Sequence, residues 1–478
     1  MNINDAPEKR LNYVFFTYDG GIFPVADHLQ REGNKVWVCQ IRNPNDVGME
    51  SWITSSDFEK KKETMKRRMS LYDGILKKFS LSEIMAALPK VPNKDDYFVV
   101  FDHNTLAKIS EQVLAMGFKK GLFPLVEDFK REEDRDAAKE FVAKHYPKLR
   151  LKETQEFSKV DDLLKFIKES KDIWVVKSDG NFVETIVPDK DDLEMAQKQI
   201  ETALTDEKSD AEKGKMIVEK KIKDPIEFTP QMAFWNGEYL YSQVEIETRM
   251  FGAEDIGPQT GGNLNVVIRT MEKDAINEIC FPKAARELMK GRKGLSFLDA
   301  GILADGENLF FTEFAGCRWG WGGVFSEMSA AEDGKLMCTN YFEAVSRGED
   351  PYRYEVGASV ALYNIKPDPE VAKMPKDGMQ IIMKDGYEDN LFITQLRKEK
   401  EGYVNVGYRW YDDGPMGYAV GRGDTIEEAA ESAYEIIQGI SMKGLINRPK
   451  SDFLNPDYPS AIMKRYQFLV DQKLITSL

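Results

Sequence analysis

The chain has 478 residues, of which 42% are hydrophobic and 31% charged, and its formal net charge is −15. This composition supports packed cores and excludes intrinsic disorder as the default state, while the length suffices for about three domains. The acidic balance argues against a nucleic-acid-binding protein, because such proteins usually present a basic face and the one basic run, residues 60–68, is broken by acids in a helix-like stretch.

The cysteines and histidines form no recognisable metal or redox motif. The four cysteines are far apart and include no C-x-x-C pair, which predicts neither a disulfide framework nor a structural zinc site. The three histidines are isolated, and each is better explained as a surface or core residue than as a catalytic one. No apolar window is long enough for a membrane span and the first residues are polar, so we expect a cytoplasmic protein without a signal peptide or membrane partner.

Residues 1–128 are predicted to form a doubly wound α/β domain. An apolar strand at residues 11–16 is followed by the glycine pair Gly20 and Gly21, a helical segment and a second apolar strand. The glycine pair lacks the spacing of a dinucleotide fingerprint, so neither a nicotinamide nor a flavin cofactor is assigned. A lysine- and methionine-rich stretch at about residues 50–90 predicts a helical insertion.

The next strand of this domain ends at a candidate ligand-binding residue. The apolar segment within residues 95–104 predicts a parallel strand that delivers Asp102 to a loop at its carboxyl end. In open α/β sheets, ligands bind at that edge. Asp102 is therefore a candidate member of a substrate pocket.

Residues 129–344 alternate helices with antiparallel hairpins, which predicts an α+β arrangement. Helical patterns occupy residues 132–144 and 191–204, and acids in the first turn support the earlier of the two. Between two strand patterns lies the dipeptide Asn236–Gly237, which is a strong hairpin signal.

The pattern changes again after about residue 345. Short strand patterns precede one long helical pattern, which predicts a smaller α+β domain at residues 345–448. Residues 449–478 are predicted to form a polar tail. No internal repeat or low-complexity segment is evident.

Lys177 ends the apolar strand pattern IWVVK and directly precedes a turn. A lysine that emerges from a buried strand is costly unless its charge meets a partner, and a phosphate group is one such partner. Alternatively, its long side chain reaches solvent along the protein surface. Lys177 is therefore a candidate phosphate ligand, with the solvated alternative open.

Two acids interrupt apolar strand patterns on either side of the turn ADGEN. Asp299 lies in SFLDAGIL and Glu313 lies in LFFTEF, which together predict a hairpin. If the turn contains an odd number of residues, both carboxylates project from the same face. Their repulsion would then be relieved by Mg²⁺ bound through the carboxylates and nucleotide phosphates. Two unrelated acids on opposite faces fit the pattern equally well.

The segment DIGPQTGG, residues 255–262, is predicted to form a tight loop that can approach a ligand closely, because glycine has no side chain to obstruct it. Arg318 follows Glu313 by five residues in a glycine-rich turn, where an arginine can stabilise charge on a transferring phosphoryl group. Glu219 and Glu227 lie at strand ends and could accept hydrogen bonds from ribose hydroxyls. Taken alone, they are ordinary surface acids.

Four segments in this order resemble the phosphoribosylamine–glycine ligase family of the ATP-grasp superfamily. DRDAAKEF at residues 134–141 is similar to the family's SKxFAKxF helix, and VVKSDG at residues 175–180 is similar to VVKADG. GPQTGGNL at residues 257–264 is similar to GPNTGGMG, the most specific of the four. LDAGIL followed by TEFAGCRWG resembles the paired strands that end in EFNCRFGDPE. The likeness extends from about residue 11 to about residue 453.

The resemblance implies a fold and a set of site residues. By this resemblance, the N-terminal domain is expected to be a pre-ATP-grasp domain. Residues 129–344 are expected to be a two-lobed ATP-grasp core, with its small lobe at about residues 145–222. The resemblance also implies that Lys177 and Arg318 are candidate catalytic residues. Candidate cofactor-binding residues are Arg135, Lys177, Glu219, Lys221 and Glu227. Candidate substrate-binding residues are Asp255, Gly257, Pro258, Gln259, Thr260, Gly261, Gly262, Gly20, Gly21 and Asp102.

The chain also departs from the family pattern. The asparagine that follows the metal-binding glutamate by two residues is replaced by Ala315, and we infer that Asp299 supplies the missing ligand beside Glu313. The glycine-rich phosphate lid after VVKADG is replaced by NFVET. In the pocket for the phosphorylated amine, GGREHA has become GGIFPVA and GPE has become FDHN, which indicates a changed amine substrate.

The resemblance implies an ATP-dependent carboxylate–amine ligase that forms an amide through an acyl phosphate, as in purine biosynthesis. ATP and Mg²⁺ or Mn²⁺ are the implied cofactors, and the implied partners are a small acid and an amine, with a monomer or small homo-oligomer as the assembly. Two alternatives stay open. One is the same chemistry on a different acid and amine, and the other is a non-catalytic, nucleotide-binding member of the family.

Overall fold

A computed structural model of the chain describes residues 10–17, 20–41, 71–178, 185–188, 191–257, 259–306, 308–314, 322–334, 336–364, 379–399, 402–405, 415–442, 444–458 and 461–478. Most of the predicted insertion at residues 50–90 lies outside these residues. No helix in the described part of the chain is long and apolar enough to cross a membrane.

Strands and helices alternate through the N-terminal third, and strands dominate the middle of the chain. The strands are β1 Asn12–Thr17, β2 Lys35–Gln40, β3 Lys78–Phe79, β4 Tyr97–Phe101, β5 Gly121–Leu122, β6 Thr154–Phe157, β7 Trp174–Ser178, β8 Met216–Lys220, β9 Ile226–Trp235, β10 Glu238–Met250, β11 Gln259–Thr270, β12 Leu295–Asp299, β13 Ile302–Asp305, β14 Asn308–Phe311, β15 Val356–Asn364, β16 Met379–Gln380, β17 Ile382–Met383, β18 Leu391–Ile393, β19 Leu396–Glu399, β20 Gly402–Asn405, β21 Gly417–Gly423, β22 Ile440–Ser441 and β23 Leu445–Ile446. The helices are α1 Phe23–Arg31, α2 Leu81–Ala87, α3 Ala107–Ala115, α4 Val126–Glu133, α5 Arg135–His145, α6 Val160–Glu169, α7 Leu193–Asp206, α8 Lys208–Ala211, α9 Ala275–Cys280, α10 Lys283–Glu287, α11 Gly322–Ala330, α12 Met337–Arg347, α13 Ile426–Gln438, α14 Ser451–Leu454 and α15 Ile462–Asp471.

One mixed sheet runs through the molecule. Across the described residues it contains 15 strands, with the main order β18-β21-β15-β11-β10-β9-β12-β5-β4-β1-β2-β3. The β3-to-β5 part and its junction with β12 are parallel, and the remainder from β12 to β18 is antiparallel. The buried apolar runs of β1 and β4 suit a parallel sheet covered on both faces. This mixed α/β architecture confirms the predicted fold class.

A separate sheet forms the small lobe. Its three strands lie in the order β6-β8-β7, all antiparallel to their neighbours. Helices α6 and α7 supply Leu163, Ile167 and Ile200 to its own apolar core. The lobe therefore has an interior that does not depend on the large sheet.

The hairpin prediction at Asn236–Gly237 is confirmed. Strands β9 and β10 join through these two residues, whose φ angles are 53° and 86°. Two successive left-handed residues match the right-handed twist of the paired strands, and Asn and Gly adopt that conformation most readily. The two long strands of this hairpin carry several of the site residues.

The helix predicted at residues 132–144 is two helices. α4 ends at Glu133 and α5 begins at Arg135, and the side chain of Asp134 accepts a hydrogen bond of 2.9 Å from the backbone N–H of Ala137. An aspartate at this position caps a helix, because it satisfies an N–H group that has no partner within the helix. The acids in the pattern therefore mark a helix start rather than a helix interior.

The segment after residue 449, predicted as a polar tail, contains helices α14 and α15. Phe453, Ile462 and Leu469 are fully buried in the core that contains β9, β10 and β11. Ile462 and Leu469 are seven residues apart and lie on one helical face, as their burial requires. That spacing was present in the sequence, but the polar residues around it obscured the pattern.

Glu32, directly after α1, joins the N-terminal domain to α12. One carboxylate oxygen accepts from the backbone N–H groups of Met337 and Cys338 at 3.0 and 3.1 Å. The other oxygen accepts from the N–H and hydroxyl groups of Thr339 at 2.7 and 2.5 Å. Glu32 therefore caps a helix that begins about three hundred residues further along the chain.

We expect Glu32→Ala to lower the free energy of unfolding by about 2–3 kcal/mol, because it leaves several partly buried donors without an acceptor. Thr425→Ala is the matched control: Thr425 caps α13 through a single 3.2 Å bond, and its loss should cost about 1 kcal/mol. Urea denaturation of both variants measures the difference. Equal losses would show that Glu32 is an ordinary cap.

Candidate functional site

Three lysines surround one buried carboxylate in the small lobe. The ammonium groups of Lys152, Lys177 and Lys139 lie 2.5, 3.0 and 3.4 Å from the carboxylate oxygens of Glu219. The Glu219 side chain is 2% exposed, and the three lysine side chains are 7–18% exposed. The cluster carries three positive charges against one negative charge, so its partly exposed side favours an anion.

The strand register brings two of these lysines to the carboxylate. Glu219 pairs with Val175 on one side and with Thr154 on the other. Lys177 and Lys152 each lie two residues from those direct partners, so both side chains share a face with Glu219. Lys139 arrives separately, from helix α5.

The lysines control the ionisation of Glu219. Burial by itself raises the pKa of a carboxyl group, but Lys177 and Lys152 outweigh that effect and lower the pKa of Glu219 to about 2. The carboxylate therefore stays charged at physiological pH and holds the ammonium groups together despite their mutual repulsion.

A second charged group lies at the start of β9 and the end of β10. Arg249 is 3.1 Å from a carboxylate oxygen of Glu227 and donates a 2.9 Å hydrogen bond to Glu247. Burial alone would lower the pKa of Arg249, but Glu227 and Glu247, with a smaller contribution from Glu313, raise it above its ordinary value. Glu227 is therefore paired with an arginine in this structure.

The predicted hairpin forms with its turn in ADGEN, but Asp299 lies outside it. The hairpin consists of β13 and β14, with Asp305 opposite Asn308, whereas Asp299 ends β12, which pairs with β9 and β5. Beyond the hairpin, the backbone N–H of Gly301 donates to the carbonyl oxygen of Glu313, and the N–H of Thr312 donates to the carbonyl oxygen of Gly301, both at 2.9 Å. Two residues of one segment thus face a single residue of the other, which shifts the register. Asp299 is 3% exposed, whereas Glu313 is exposed. The predicted pairing of these carboxylates on one metal ion stays a prediction.

A row of polar side chains runs from Asp299 across the neighbouring strands β9 and β10. Gln231 donates to the carboxylates of Asp299 and Glu245 at 3.0 and 3.3 Å. Gln243 donates both to the side-chain oxygen of Gln231 and, at 3.1 Å, to Glu327. Asp299, Gln231 and Gln243 are direct cross-strand neighbours, so their side chains share one face. This row fixes the orientation of the Asp299 carboxylate.

The predicted substrate loop is shorter than expected. Residues 253–255 form one 3₁₀ turn, but Thr260, Gly261 and Gly262 already belong to β11. A Cβ atom at Gly262 would lie 2.8 Å from the Asn265 side-chain amide and 3.1 Å from a Glu247 carboxylate oxygen, so a larger residue would have to displace these side chains. The backbone at Gly262 therefore passes directly over the carboxylate of Glu247.

The N-terminal candidates lie at the carboxyl ends of parallel strands. Gly20 has a φ angle of 88° and donates a 2.8 Å hydrogen bond to the Thr17 hydroxyl, directly after β1. Asp102 follows β4 and is 3% exposed. The structure thus brings the glycine turn and Asp102 to one sheet edge, because β1 and β4 are parallel neighbours.

Several predicted residues lie elsewhere or are not described. The ammonium group of Lys221 donates 2.8 Å hydrogen bonds to the Asp191 carboxylate and to the Pro188 carbonyl oxygen, in the small lobe. Arg318 and Pro258 lie outside the described residues, as do the side chains of Arg135 and Gln259.

The residues that sequence reasoning missed are Lys139, Lys152, Arg249 and Gln231. Lys139 was visible, since it occupies the second lysine of the SKxFAKxF pattern. No sequence signal distinguished Lys152, because it lies in a charged segment where lysines are common. Strand pairing alone brings it to Glu219.

A third cluster has metal-binding residue types but a structural explanation. In the described part of the chain, His28, Glu32 and Cys338 each place one potential metal-ligand atom within 4.8 Å of the other two. Both oxygens of Glu32 are already occupied by the cap of α12, and burial raises the pKa of the Cys338 thiol. These features explain the cluster without an ion.

Comparisons with known proteins identify the fold. No protein-family model matches the chain, and no curated protein matches its sequence. Among solved structures, phosphoribosylamine–glycine ligase from Thermotoga maritima matches with a TM-score of 0.60 and 16% identity, over 92% of this chain and 99% of the other. Biotin carboxylase from Campylobacter jejuni, solved as a β,γ-ATP complex, matches with a TM-score of 0.53 and 14% identity, over 97% of each chain.

A third solved structure is the biotin carboxylase domain of the Hydrogenobacter thermophilus 2-oxoglutarate carboxylase, in complex with MgADP, ADP and bicarbonate. It matches with a TM-score of 0.55 and 11% identity, over 98% of this chain and 100% of the other. The chain has the ATP-grasp fold. The similarity covers nearly the whole chain, so the small lobe and the large sheet both belong to this ATP-grasp architecture.

We expect Glu219→Gln to lower the free energy of unfolding at pH 7 by about 3 kcal/mol, from the shift of the Glu219 pKa from its ordinary value of 4.5 to about 2. Because the folded-state pKa is the lower one, this stability is fully present above about pH 4.5 and is lost as the pH falls towards 2. Unfolding measured across this range should show a weaker pH dependence in the variant.

Glu156→Gln is the control for that measurement. Glu156 lies on β6 in the same sheet and pairs with Lys215 at 2.7 Å, but its side chain is 42% exposed. Its loss should cost less than about 1 kcal/mol. If both variants behaved alike, the buried carboxylate would not be what holds the lysines together.

Proposed function

We propose that the protein is an ATP-dependent ligase that joins a carboxylic acid to an amine. The carboxylate oxygen attacks the γ-phosphorus of ATP, the bond to the β-phosphate bridge oxygen breaks, and ADP leaves. The amine nitrogen then attacks the acyl carbon, phosphate leaves, and the nitrogen loses a proton. The ATP-grasp fold and the lysine cluster together support this chemistry.

The lysine cluster is the observation that carries the proposal. Lys139, Lys152 and Lys177 place a net positive charge on a sheet that is separate from the carboxylates of the large sheet. A triphosphate matches such a cluster, because its oxygens accept several charge-assisted hydrogen bonds. Glu219 keeps the ammonium groups positioned before the nucleotide arrives, which lowers the cost of ordering them.

Aromatic packing links the cluster to the proposed metal side of the site. The ring of Phe141, two residues after Lys139, is 6.2 Å from the ring of Phe314. Phe314 directly follows Glu313 in the chain. Helix α5, which carries Lys139, therefore lies beside the segment that carries Glu313, as a triphosphate shared between them requires.

Magnesium is the implied cation, and the residues fit its chemistry. Mg²⁺ prefers oxygen ligands, and Asp299 and Glu313 would hold it through their carboxylates. When bound, the ion would supply positive charge that neutralises the phosphate oxygens. Gln231, on the neighbouring strand, orients Asp299 by donating a 3.0 Å hydrogen bond to its carboxylate.

The amine substrate favoured by the N-terminal pocket lacks a phosphate group. In the resembling family, charged residues of GGREHA line the pocket for a phosphorylated amine. Here Ile22 and Phe23 occupy that motif, and both are completely buried in the apolar core. They offer no donor to a phosphate, so this observation favours the second candidate function, the same ligase chemistry on a different acid and amine.

Lys177→Ala and Glu313→Gln should each abolish ATP-dependent ADP release, because each removes a group that the phosphoryl transfer requires. Lys220→Ala is the control, since Lys220 lies on adjacent β8 but pairs with exposed Asp172 at 2.8 Å. Turnover in either site variant at the wild-type rate would refute the assignment.

The substrate pair can be found by supplying MgATP, a panel of amino acids and other small acids, and hydroxylamine in place of the amine. An acyl phosphate reacts with hydroxylamine to give a hydroxamate and phosphate, and the hydroxamate forms a coloured complex with added ferric iron, so the acid is identified before the amine. We expect hydroxamate with at least one acid and ADP release with an unphosphorylated amine. Nucleotide binding without hydroxamate from any acid would favour a non-catalytic, nucleotide-binding protein.

A further inference from the structure

The segment that precedes β11 has an unusual backbone. Glu254 and Asp255 adopt φ angles of 55° and 59°, and Gly257 adopts 96°. Two successive non-glycine residues in the left-handed region are disfavoured by the clash of Cβ with the backbone. Such a conformation persists only where surrounding contacts impose it. Residues 251–257 are called the strained turn below.

Arg448, which follows β23, supplies one set of these contacts. Its guanidinium group donates to the Met250 carbonyl oxygen at 2.8 Å and to the Asp255 carboxylate at 3.0 Å. The same group pairs with Asp452 at 2.8 and 2.9 Å. The Arg448 side chain is only 2% exposed. One buried cation therefore holds both the start of the strained turn and its left-handed centre.

The segment after residue 449 supplies a second set of contacts. The carboxylate of Asp452 accepts a 3.3 Å hydrogen bond from the backbone N–H of Glu254, and the hydroxyl of Tyr458 donates to the Glu254 side chain at 3.3 Å. Further along, Arg465 donates to the Glu247 carbonyl oxygen at 2.6 Å and to the Thr248 hydroxyl at 2.8 Å. The turn and the end of β10 are thus held from one side by the C-terminal helices.

The strained turn leads directly into the predicted substrate contacts. Gly257 ends it, and the strand that follows passes over Glu247 at Gly262. A change in the backbone at Glu254 and Asp255 would displace this stretch, whereas the lysine cluster lies in a separate sheet. These contacts therefore bear on the predicted substrate segment, whereas the lysine cluster belongs to a separate sheet.

We propose that Arg448 and Asp452 are positioning residues that hold the strained turn in its left-handed form and thereby set the affinity for the acid substrate. This inference rests on the proposed ligase function only for its kinetic consequence. The conformational part concerns the turn itself, and it can be tested whether or not the protein is a ligase.

The test compares Arg448→Met and Asp452→Asn with the unaltered full-length chain by hydrogen–deuterium exchange and kinetics. Amide exchange in residues 251–262 should rise in both variants, with the rest of β10 and β11 unchanged. For the acid found in the hydroxamate assay, kcat/KM should fall by about 10²-fold, mainly through KM, as expected for a misplaced substrate contact. The affinity for a non-hydrolysable ATP analogue should not change.

Arg269→Met is the matched control, because Arg269 is ion-paired to Asp350 and Glu355 at 2.5 and 3.1 Å on the opposite end of β11. Its loss should leave exchange in residues 251–262 unaltered. Arg448→Lys should restore part of the protection, since it retains the positive charge. If Arg448→Met misfolds, Asp452→Asn, which preserves side-chain size, provides the exchange result.

The outcomes separate this inference from the proposed function. Unchanged exchange in the strained turn of a folded Arg448→Met or Asp452→Asn variant would overturn the inference, whatever the activity. Faster exchange with an unchanged KM would overturn its kinetic part. Faster exchange in a protein that forms no hydroxamate would refute the ligase proposal and leave the conformational role of Arg448 intact.

Discussion

Three ammonium groups that approach the same place repel one another, and in the small lobe one buried carboxylate overcomes that repulsion. Glu219 attracts Lys139, Lys152 and Lys177 strongly enough to remain ionised although it is almost completely buried. Removing such charges from water is expensive unless each has a close partner. The positions of β7, β8, α5 and the segment just before β6 must therefore agree, because each contributes one charge to the same point.

The same principle operates at the other charged parts of the molecule. Arg249 is held between Glu227 and Glu247, Glu32 is held by the start of α12, and Arg448 is held between Asp255 and Asp452. The groups around Glu32 and Arg448 join segments that are far apart in the chain. The apolar cores supply most of the driving force for folding, whereas the buried charges specify which segments lie against which. At the proposed site, that specification also prepares positive charge for an anionic substrate.

The strained turn differs from the rest of the site in how it is held. The lysine cluster is built within the small lobe, but Glu254 and Asp255 depend on contacts from helix α14, from Tyr458 and from Arg448. A ligase needs its substrate contacts to be placed within fractions of an ångström. Support from a rigid, packed segment satisfies that need better than a loop held only by its own backbone.

The sequence by itself determined the strands β1, β2 and β4, the hairpin at Asn236–Gly237 and the candidate role of Lys177, because these depend on local apolar runs and turn chemistry. It also determined the ATP-grasp resemblance through short motifs in the right order. Only the tertiary structure decided that Asp299 ends β12 and pairs with β9, that Lys152 reaches Glu219, and that helices α14 and α15 pack into the core. Strand partners and long-range ion pairs join residues far apart in the chain, and no local pattern encodes which distant segment will supply the opposite charge.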